Sequence, residues 1–589
     1  MLPVRPLLMA GCAVVLLGLC GVAGASATNR PEQHARVPYS SRELVLDHGR
    51  LRAERLGTNL GARTAAATTT PPTLPATPAP GAAASRGLSF VRALAQLAQR
   101  GELTAASAAS YTTAWTSAQQ SERHLSGTRH KELGAVLATL RAIARSGALT
   151  PGRLPALMLT VQRNQQWWTG APIVAADQRV GFPGSSLVWE FYPGQGLEIQ
   201  WLGTFGAADG FYDDHESANL AALVNQALSL AVSRAGGIAW EYDFHFDGGS
   251  PPWVSAITEG TAVEALASAA SMLHDSVYLT DAHDALGIFQ APPPLGIAAQ
   301  AQQGSWYLIY SFAPHDYVIN AFIQSLIGLF DLAYQGDPLA QQLFTSGNDE
   351  ARAVLPSYNT GYWSLYDQYG ESDLNYHELL TGFLDTICGQ TRETTTQALW
   401  VLGEPIPPAG ASGPSGATGA SGGTGTSGET GSSGGTGASG GTGASGSGGT
   451  PVGGTGPSGT TGASSSTGAS GPTGAGTSPN SVYCTTASAF KADLKQPPQL
   501  KVASLGVPRA HHVAKIHFTL SKISNVSLSA TYAGATSEYG TLLIGHGAHV
   551  FTWRPGRAGS WTLTLTAVDL AGNRDVQTLP VSVLAPQAR

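Results

Sequence analysis

Charge is what this chain has least of. Only 12% of its 589 residues are Asp, Glu, Lys or Arg, and the net charge is −7. No cluster of Lys or Arg breaks the pattern. That argues against nucleic acid as a partner, because such binding rests on neutralising phosphates. Cysteine is almost as scarce: there are four, and Cys12 and Cys20 both lie in the first apolar segment. After that segment no run reaches the roughly 18 apolar residues of a membrane-spanning helix, so no span is expected once it is removed. H-E-x-x-H, C-x-x-C and P-loop patterns are missing, which removes the usual signatures of zinc hydrolysis, dithiol redox chemistry and nucleotide binding. No metal and no cofactor is expected, and no oligomeric state is implied.

What is abundant is glycine, 73 residues of it, and its distribution divides the chain. Residues 1–27 read as a signal peptide: Arg5 is the positive end, Leu7 to Val22 the apolar stretch, and Ala25-Ser26-Ala27 a small-residue cleavage site. The expected location is secreted or in the cell envelope. Residues 28–85, rich in Ala, Thr and Pro, form a disordered stalk in this reading, since they cannot bury enough apolar surface to fold. Residues 86–165 show helical periodicity, with Phe90, Leu94 and Leu97 on one face and Leu133, Val136, Leu140 and Ile143 on another. Residues 166–205 switch to a strand pattern around the turn Pro193-Gly194-Gln195-Gly196.

Residues 206–405 return to helices separated by aromatic-rich loops. The apolar residues of YVINAFIQSLIGLFDLAY (Tyr317–Tyr334) run around most of the helix, which predicts burial. Helix pairs joined in this way fit an incomplete α/α toroid (barrel). Residues 406–480 are a Gly/Ser/Thr-rich linker. Glycine recurs there at the collagen period, but proline is too sparse for a triple helix. A G-x-S-x-G match within it, Gly419 to Gly423, lacks the strand and helix that a nucleophile elbow requires. In the last segment, residues 481–589, positions 497–585 alternate with period two, as in Ile516, Phe518 and Leu520 or Leu563, Leu565 and Ala567. They predict an Ig-like β-sandwich. The fold class is therefore multidomain α+β. The two remaining cysteines, Cys388 and Cys484, flank the linker. They are either a disulfide stapling two domains or two separate buried thiols.

One stretch stands apart in composition. Leu355 to Glu378, LPSYNTGYWSLYDQYGESDLNYHE, packs five tyrosines, a tryptophan, a histidine and four carboxylates into 24 residues. A core does not need so many polar-tipped rings together. A site that holds a sugar and moves a proton does. Taken singly, each tyrosine is more simply a core ring with its hydroxyl satisfied. Asp213, Asp214 and Glu216 are better read as a helix cap than as a calcium site.

The run GSWYLIYSFAPHDYVINAFIQSLIGLFDLA, followed by LPSYNTGYWSLYD and NYHELL, resembles the C-terminal catalytic domain of D-glucuronyl C5-epimerases. SPPWVSAITEGTAVEAL resembles an upstream Trp-containing motif, and FYPGQGLEIQWLGTFG the β-segment before that domain. The resemblance covers about residues 185 to 400. It implies an isomerase that inverts C5 of D-glucuronic acid within a polysaccharide, with a uronic-acid-containing polysaccharide as partner. The C5 proton lies α to a carboxylate, so one group must remove it from one face and another return a proton to the other. On the resemblance, Tyr310 and Tyr376 are the opposed acid/base pair and Tyr366 positions or polarises the substrate. Asn320 and His377 match family positions and are implied to bind substrate, while Trp253 and Tyr358 stack on sugar or wall the cleft.

The chain departs from the family pattern at three places. Ile309 stands where an acid precedes the first tyrosine, Tyr369 where an arginine follows the second, and Leu374-Asn375 where Trp-Asp precedes the third. An arginine is the natural partner of a uronate carboxylate, with Arg352 or Arg392 as its substitutes. Two other activities share these features: non-catalytic polysaccharide binding on the same scaffold, and uronate polysaccharide lysis, in which the same proton abstraction is followed by elimination.

Overall fold

The computed structural model describes residues 42–47, 50–55, 89–404 and 480–586. The signal segment, most of the stalk and the linker (apart from Asn480) lie outside the described residues.

Strands β1 (Arg42–Asp47) and β2 (Arg50–Arg55) pair antiparallel, and β1 pairs parallel with a strand far along the chain. This hairpin lies inside the stretch expected not to fold. A strand added to an existing sheet edge satisfies its backbone there and needs no core of its own.

Four helices come next: α1 (Phe90–Gln99), α2 (Ala105–His124), α3 (Gly127–Ser146) and α4 (Leu154–Gly170). The apolar faces read from the sequence are the buried ones, Phe90, Leu94 and Leu97 in α1 and Leu133, Val136, Leu140 and Ile143 in α3. Strands β3 (Arg179–Gly181), β4 (Trp189–Tyr192) and β5 (Gly196–Ile199) complete the sheet in the order β2-β1-β3-β4-β5. The β4–β5 turn falls where the Pro-Gly-Gln-Gly signal lies.

Helices α5 (Trp201–Asp213) and α6 (Ser217–Leu228) lead to the short hairpin of β6 (Val232–Arg234) and β7 (Gly237–Ala239). Asp213 ends α5 and Asp214 caps its C-terminus, while Glu216 stands at the N-cap of α6 with its carboxylate accepting from Asn219. Just after the hairpin, buried Glu241 receives Arg153 from the start of α4 and Arg234 from β6. The first four helices are thereby tied to the segment after β7.

The helical body continues with α7 (Ala256–Leu273), α8 (Val277–Asp284), β8 (Ala298–Gln300), β9 (Ser305–Tyr307), α9 (Ile319–Tyr334), α10 (Pro338–Val354), α11 (Leu374–Arg392) and α12 (Thr396–Leu402). Helix α9 is buried on almost every side, as its apolar circumference requires. It packs against α7 so closely that a Cβ at Gly328 would lie 2.0 Å from the Gly260 carbonyl oxygen. Residues 393–395 separate α11 from α12, with Thr395 capping α12. No closed barrel is formed among the described residues.

Helix α13 (Ser481–Asp493) precedes the residues expected to alternate as strands. Its Tyr483, Ala487 and Phe490 join the core of the helical body, and Cys484 is disulfide-bonded to Cys388 of α11. Strands begin only at β10 (Leu500–Leu505). They continue as β11 (Ala514–Leu520), β12 (Ser524–Tyr532), β13 (Ala535–Ile544), β14 (Gly547–Trp553), β15 (Gly559–Asp569) and β16 (Arg574–Val583). They form a three-stranded sheet β10-β11-β14 and a four-stranded sheet β13-β12-β15-β16. Ile516, Phe518, Leu563 and Leu565 share one core between them. Among the described residues, no helix is long and apolar enough to cross a membrane.

Candidate functional site

Three stretches of the chain build the candidate site: those carrying Trp253, Tyr310, and Tyr366 with Tyr376. The first leads into α7. Trp253 and Tyr242 exchange backbone hydrogen bonds of 2.7 and 3.1 Å, and Ser311 N–H donates to the Val254 carbonyl at 3.0 Å. This couples the Trp253 segment to the one carrying Tyr310. The ring of Tyr310 stacks on Phe312 at 5.0 Å between centroids and meets the edge of Trp253 at 5.7 Å.

The N-terminus of α9 is the fastening point for the third stretch. The N–H of Ile319 donates to the Tyr366 carbonyl at 3.1 Å, and Asn320 Nδ2 donates to the Tyr376 carbonyl at 3.0 Å. Tyr366 lies in a narrow hairpin, its N–H donating to Gly370 O at 2.9 Å while Ser372 N–H donates to Ser364 O at 3.0 Å. Asp367 sets the turn by accepting from the N–H groups of Tyr369 and Gly370. Four residues beyond Ser372, Tyr376 sits in the first turn of α11, where Asp373 caps the helix by accepting from the Tyr376 N–H at 2.8 Å.

The rings of Tyr366 and Tyr376 are 4.7 Å apart. Burial pushes the Tyr366 phenol well above its ordinary value, and Tyr310, Tyr376, Asp316 and Asp367 push it further. Tyr310 and Tyr376 are thus both electrostatic neighbours of Tyr366, and the three tyrosines that the motif order singled out do meet. Asp316 has its own carboxyl raised to about 6 by burial, then by Asp367 and Asp247. Asp316 and Asp367 lie within the motifs quoted from the sequence, yet nothing there marks them as neighbours of the phenols. Asp247 carries no sequence signal at all. Tyr366 is therefore held as a neutral phenol, a hydrogen-bond donor, rather than as the phenolate that an isolated base would require.

The four residues expected to bind substrate, Trp253, Asn320, Tyr358 and His377, are all buried. Trp253 is only 4% exposed; it stacks on Tyr242 at 4.4 Å and its Nε1 donates to Phe244 O. It backs Tyr310 from within the core. Tyr358 is buried and its hydroxyl donates to Tyr317 O at 2.8 Å. His377 is fully buried. Its Nδ1 accepts from Ser364, its Nε2 lies 3.2 Å from Phe490 O, and its ring stacks on Trp363 at 3.8 Å. Burial takes its imidazole down to about 4. Asn320 is buried as well and orients the start of α11.

The residues standing at the family's charged positions bring no cation to the site. Ile309 is buried and Tyr369 is 81% exposed. Arg352 pairs with Asp349, and Arg392 lies about 24 Å along α11 from Tyr376. No group of three or more His, Cys, Asp or Glu that could hold a metal occurs among the described residues.

Residues 235–399 match the family model described as D-glucuronyl C5-epimerase C-terminus. A D-glucuronyl C5-epimerase of Caenorhabditis elegans is 31% identical over 131 residues, which is 20% of this chain and 21% of that protein. An uncharacterized protein of Methanocaldococcus jannaschii is 27% identical over 151 residues, 24% of this chain and 49% of that protein. The match spans half or less of the length of these relatives.

Proposed function

We propose, from the membership of residues 235–399 in the D-glucuronyl C5-epimerase C-terminal family, that the protein inverts C5 of a uronic acid residue, D-glucuronate by the family's chemistry, within a polysaccharide. The observation that carries this reading is the convergence of Tyr310 and Tyr376 on Tyr366. In this scheme the C5–H bond breaks toward the phenolate of Tyr310 or Tyr376, leaving an enolate on the uronate carboxyl group. Tyr366, kept protonated by its surroundings, donates a hydrogen bond to the developing charge. The other flanking tyrosine gives its phenolic proton to the opposite face of C5. The two phenols end with exchanged protonation states and reset through solvent. Helices α5 to α12 are then an incomplete α/α toroid and the two-sheet body an Ig-like sandwich. The Cys388–Cys484 disulfide supports export to an oxidising compartment.

A second reading, polysaccharide binding without catalysis, is favoured by one observation. The groups raising Tyr366 are all acidic, and the residue at the family's arginine position, Tyr369, points no cation inward. Incubation with uronate polymers in D₂O separates the readings. Deuterium at C5 without chain cleavage is expected for the epimerase, and its absence with every polymer tested, together with retained glycan binding, supports the binding module. Unsaturated ends absorbing in the near ultraviolet would identify a lyase.

A further inference from the structure

The loop that carries Tyr366 and leads to Tyr376 is fastened from outside the family-like region. Glu371 forms a bridge pair with Leu365, the residue before Tyr366, and lies five positions before Tyr376. Its carboxylate is buried, and both of its oxygens are engaged by the two-sheet body. Oε1 accepts from the Ile523 N–H at 2.9 Å, and Oε2 from the His546 N–H at 2.7 Å. His546 Nδ1 adds a contact at 3.1 Å. A second attachment lies behind the same hairpin. Trp363 is covered on one face by His377 and on another by the buried Lys522 ammonium, 5.2 Å from its ring. Lys522 is itself held by Asp569 and by the carbonyls of Asp493 and Gln496. Below both, His377 reaches Phe490 O of α13.

Ile523, His546, Lys522 and Phe490 all lie outside residues 235–399. Without residues 480–586, the Glu371 carboxylate would lose both backbone donors, and Trp363 and His377 would be uncovered. Buried polar groups are kept where every partner is in place and are costly where one is removed. The hairpin between Ser364 and Ser372 is only a few residues long, so the position of Tyr366 depends on what holds its two strands.

We propose that residues 480–586 are a working part of the candidate site, with Glu371 as the positioning residue that sets Tyr366 and Tyr376 by docking their hairpin onto the two-sheet body. The inference rests on the epimerase reading for its kinetic consequence and on geometry alone for its structural one. Gly545 provides an independent handle on the far side of the contact, because a Cβ there would lie 2.7 Å from Glu371 Oε2 and has no other close neighbour. Gly545→Ala therefore displaces the Glu371 carboxylate while leaving the core between the sheets untouched.

The test uses the full-length protein with Gly545→Ala, Glu371→Gln and Glu371→Ala, and with the exposed-strand substitution Ser537→Ala as control. Three quantities are read: kcat and KM for C5 hydrogen exchange, amide exchange of the peptide spanning residues 361–378, and the thermal midpoint. Gly545→Ala and Glu371→Ala are expected to lower kcat by about ten- to hundredfold with KM within about twofold, as small misplacements of reacting groups do. Amide exchange in the hairpin is expected to speed up by about tenfold or more. Glu371→Gln, which keeps one acceptor, falls between them and the wild type. Ser537→Ala changes nothing. Unaltered hairpin exchange in both Gly545→Ala and Glu371→Ala overturns the proposal, and so does faster hairpin exchange with kcat unchanged. If the wild-type protein exchanges C5 hydrogen on no uronate polymer, the epimerase reading fails. The amide-exchange arm then decides the docking role by itself.

Discussion

Cys388 and Cys484 are disulfide-bonded across a sequence separation of 96 residues, joining α11, which carries Tyr376, to α13. The bond closes a loop that contains the whole linker. Cross-linking so long a loop restricts the unfolded chain, with stabilisation of about 2–5 kcal/mol. Reduction, or the Cys388→Ser/Cys484→Ser double substitution, is expected to lower stability by that amount. Urea unfolding with and without reductant reads it, and equal midpoints would exclude the bond as a stabilising element.

The contact of α7 with α9 depends on two glycines. A Cβ at Gly328 would come within 2.0 Å of the Gly260 carbonyl, and one at Gly260 within 2.7 Å of Ser325 Cα. Both obstacles are backbone, so relief requires the helices to separate. Gly328→Ala is expected to cost about 1–3 kcal/mol and, because α9 fastens both Tyr366 and Tyr376, to lower activity as well. Thermal unfolding and the C5 exchange rate check the two effects, and a fully stable Gly328→Ala protein would contradict this packing.

His377 makes stability depend on pH. Burial holds its imidazole at about 4 in the folded protein, against 6.5 for the unperturbed group. Between those values the unfolded chain takes up a proton that the folded one refuses. The stability is therefore present in full above pH 6.5 and is lost as pH falls toward 4. His377→Gln is expected to be less stable at neutral pH and to lack this slope. Denaturant midpoints measured at about pH 7 and about pH 4.5 give the comparison, and parallel behaviour of the two proteins would remove His377 as the cause.

Asp316 is expected to shape the pH profile of the reaction. Its carboxyl, raised to about 6 by burial and by Asp367 and Asp247, is neutral below that pH and anionic above it. If the protein acts as the epimerase proposed above, an additional anion near Tyr366 opposes both the uronate and the enolate. The value of kcat/KM should therefore carry a downward inflection as pH rises through about 6, and Asp316→Asn should erase it. A wild-type profile with no feature there would place Asp316 outside the reaction.

Tyr366 is expected to matter as a donor. Tyr366→Phe keeps the ring against Tyr376 and removes only the hydroxyl. A loss of about 10²–10³-fold in kcat with little change in KM is the signature of a hydrogen bond made in the transition state. An equal loss in binding would instead assign Tyr366 to holding the ground-state sugar.

Local pattern alone determined a good part of this molecule. The apolar faces of α1 and α3, the burial of α9 and the alternation in β11 and β15 are properties of spacing within a few residues. A helix or strand repeats its direction at a fixed period, so these could be read directly. The resemblance singled out Tyr310, Tyr366 and Tyr376 by motif order, and the fold sets Tyr310 and Tyr376 near Tyr366. What tertiary structure decided is which face of each residue meets water or another segment. Trp253, Tyr358 and His377 look like Tyr366 in composition, yet they are core groups because Tyr242, Tyr317 and Phe490 lie against them. Helix α13 resembles the start of a second domain until its Tyr483 and Phe490 are found in the helical core. Glu371 is one carboxylate among four in its stretch, and only the docking of Ile523 and His546, more than 150 residues away, distinguishes it. Contacts over such separations leave no period in the chain, and the residues that make them are chosen by packing alone.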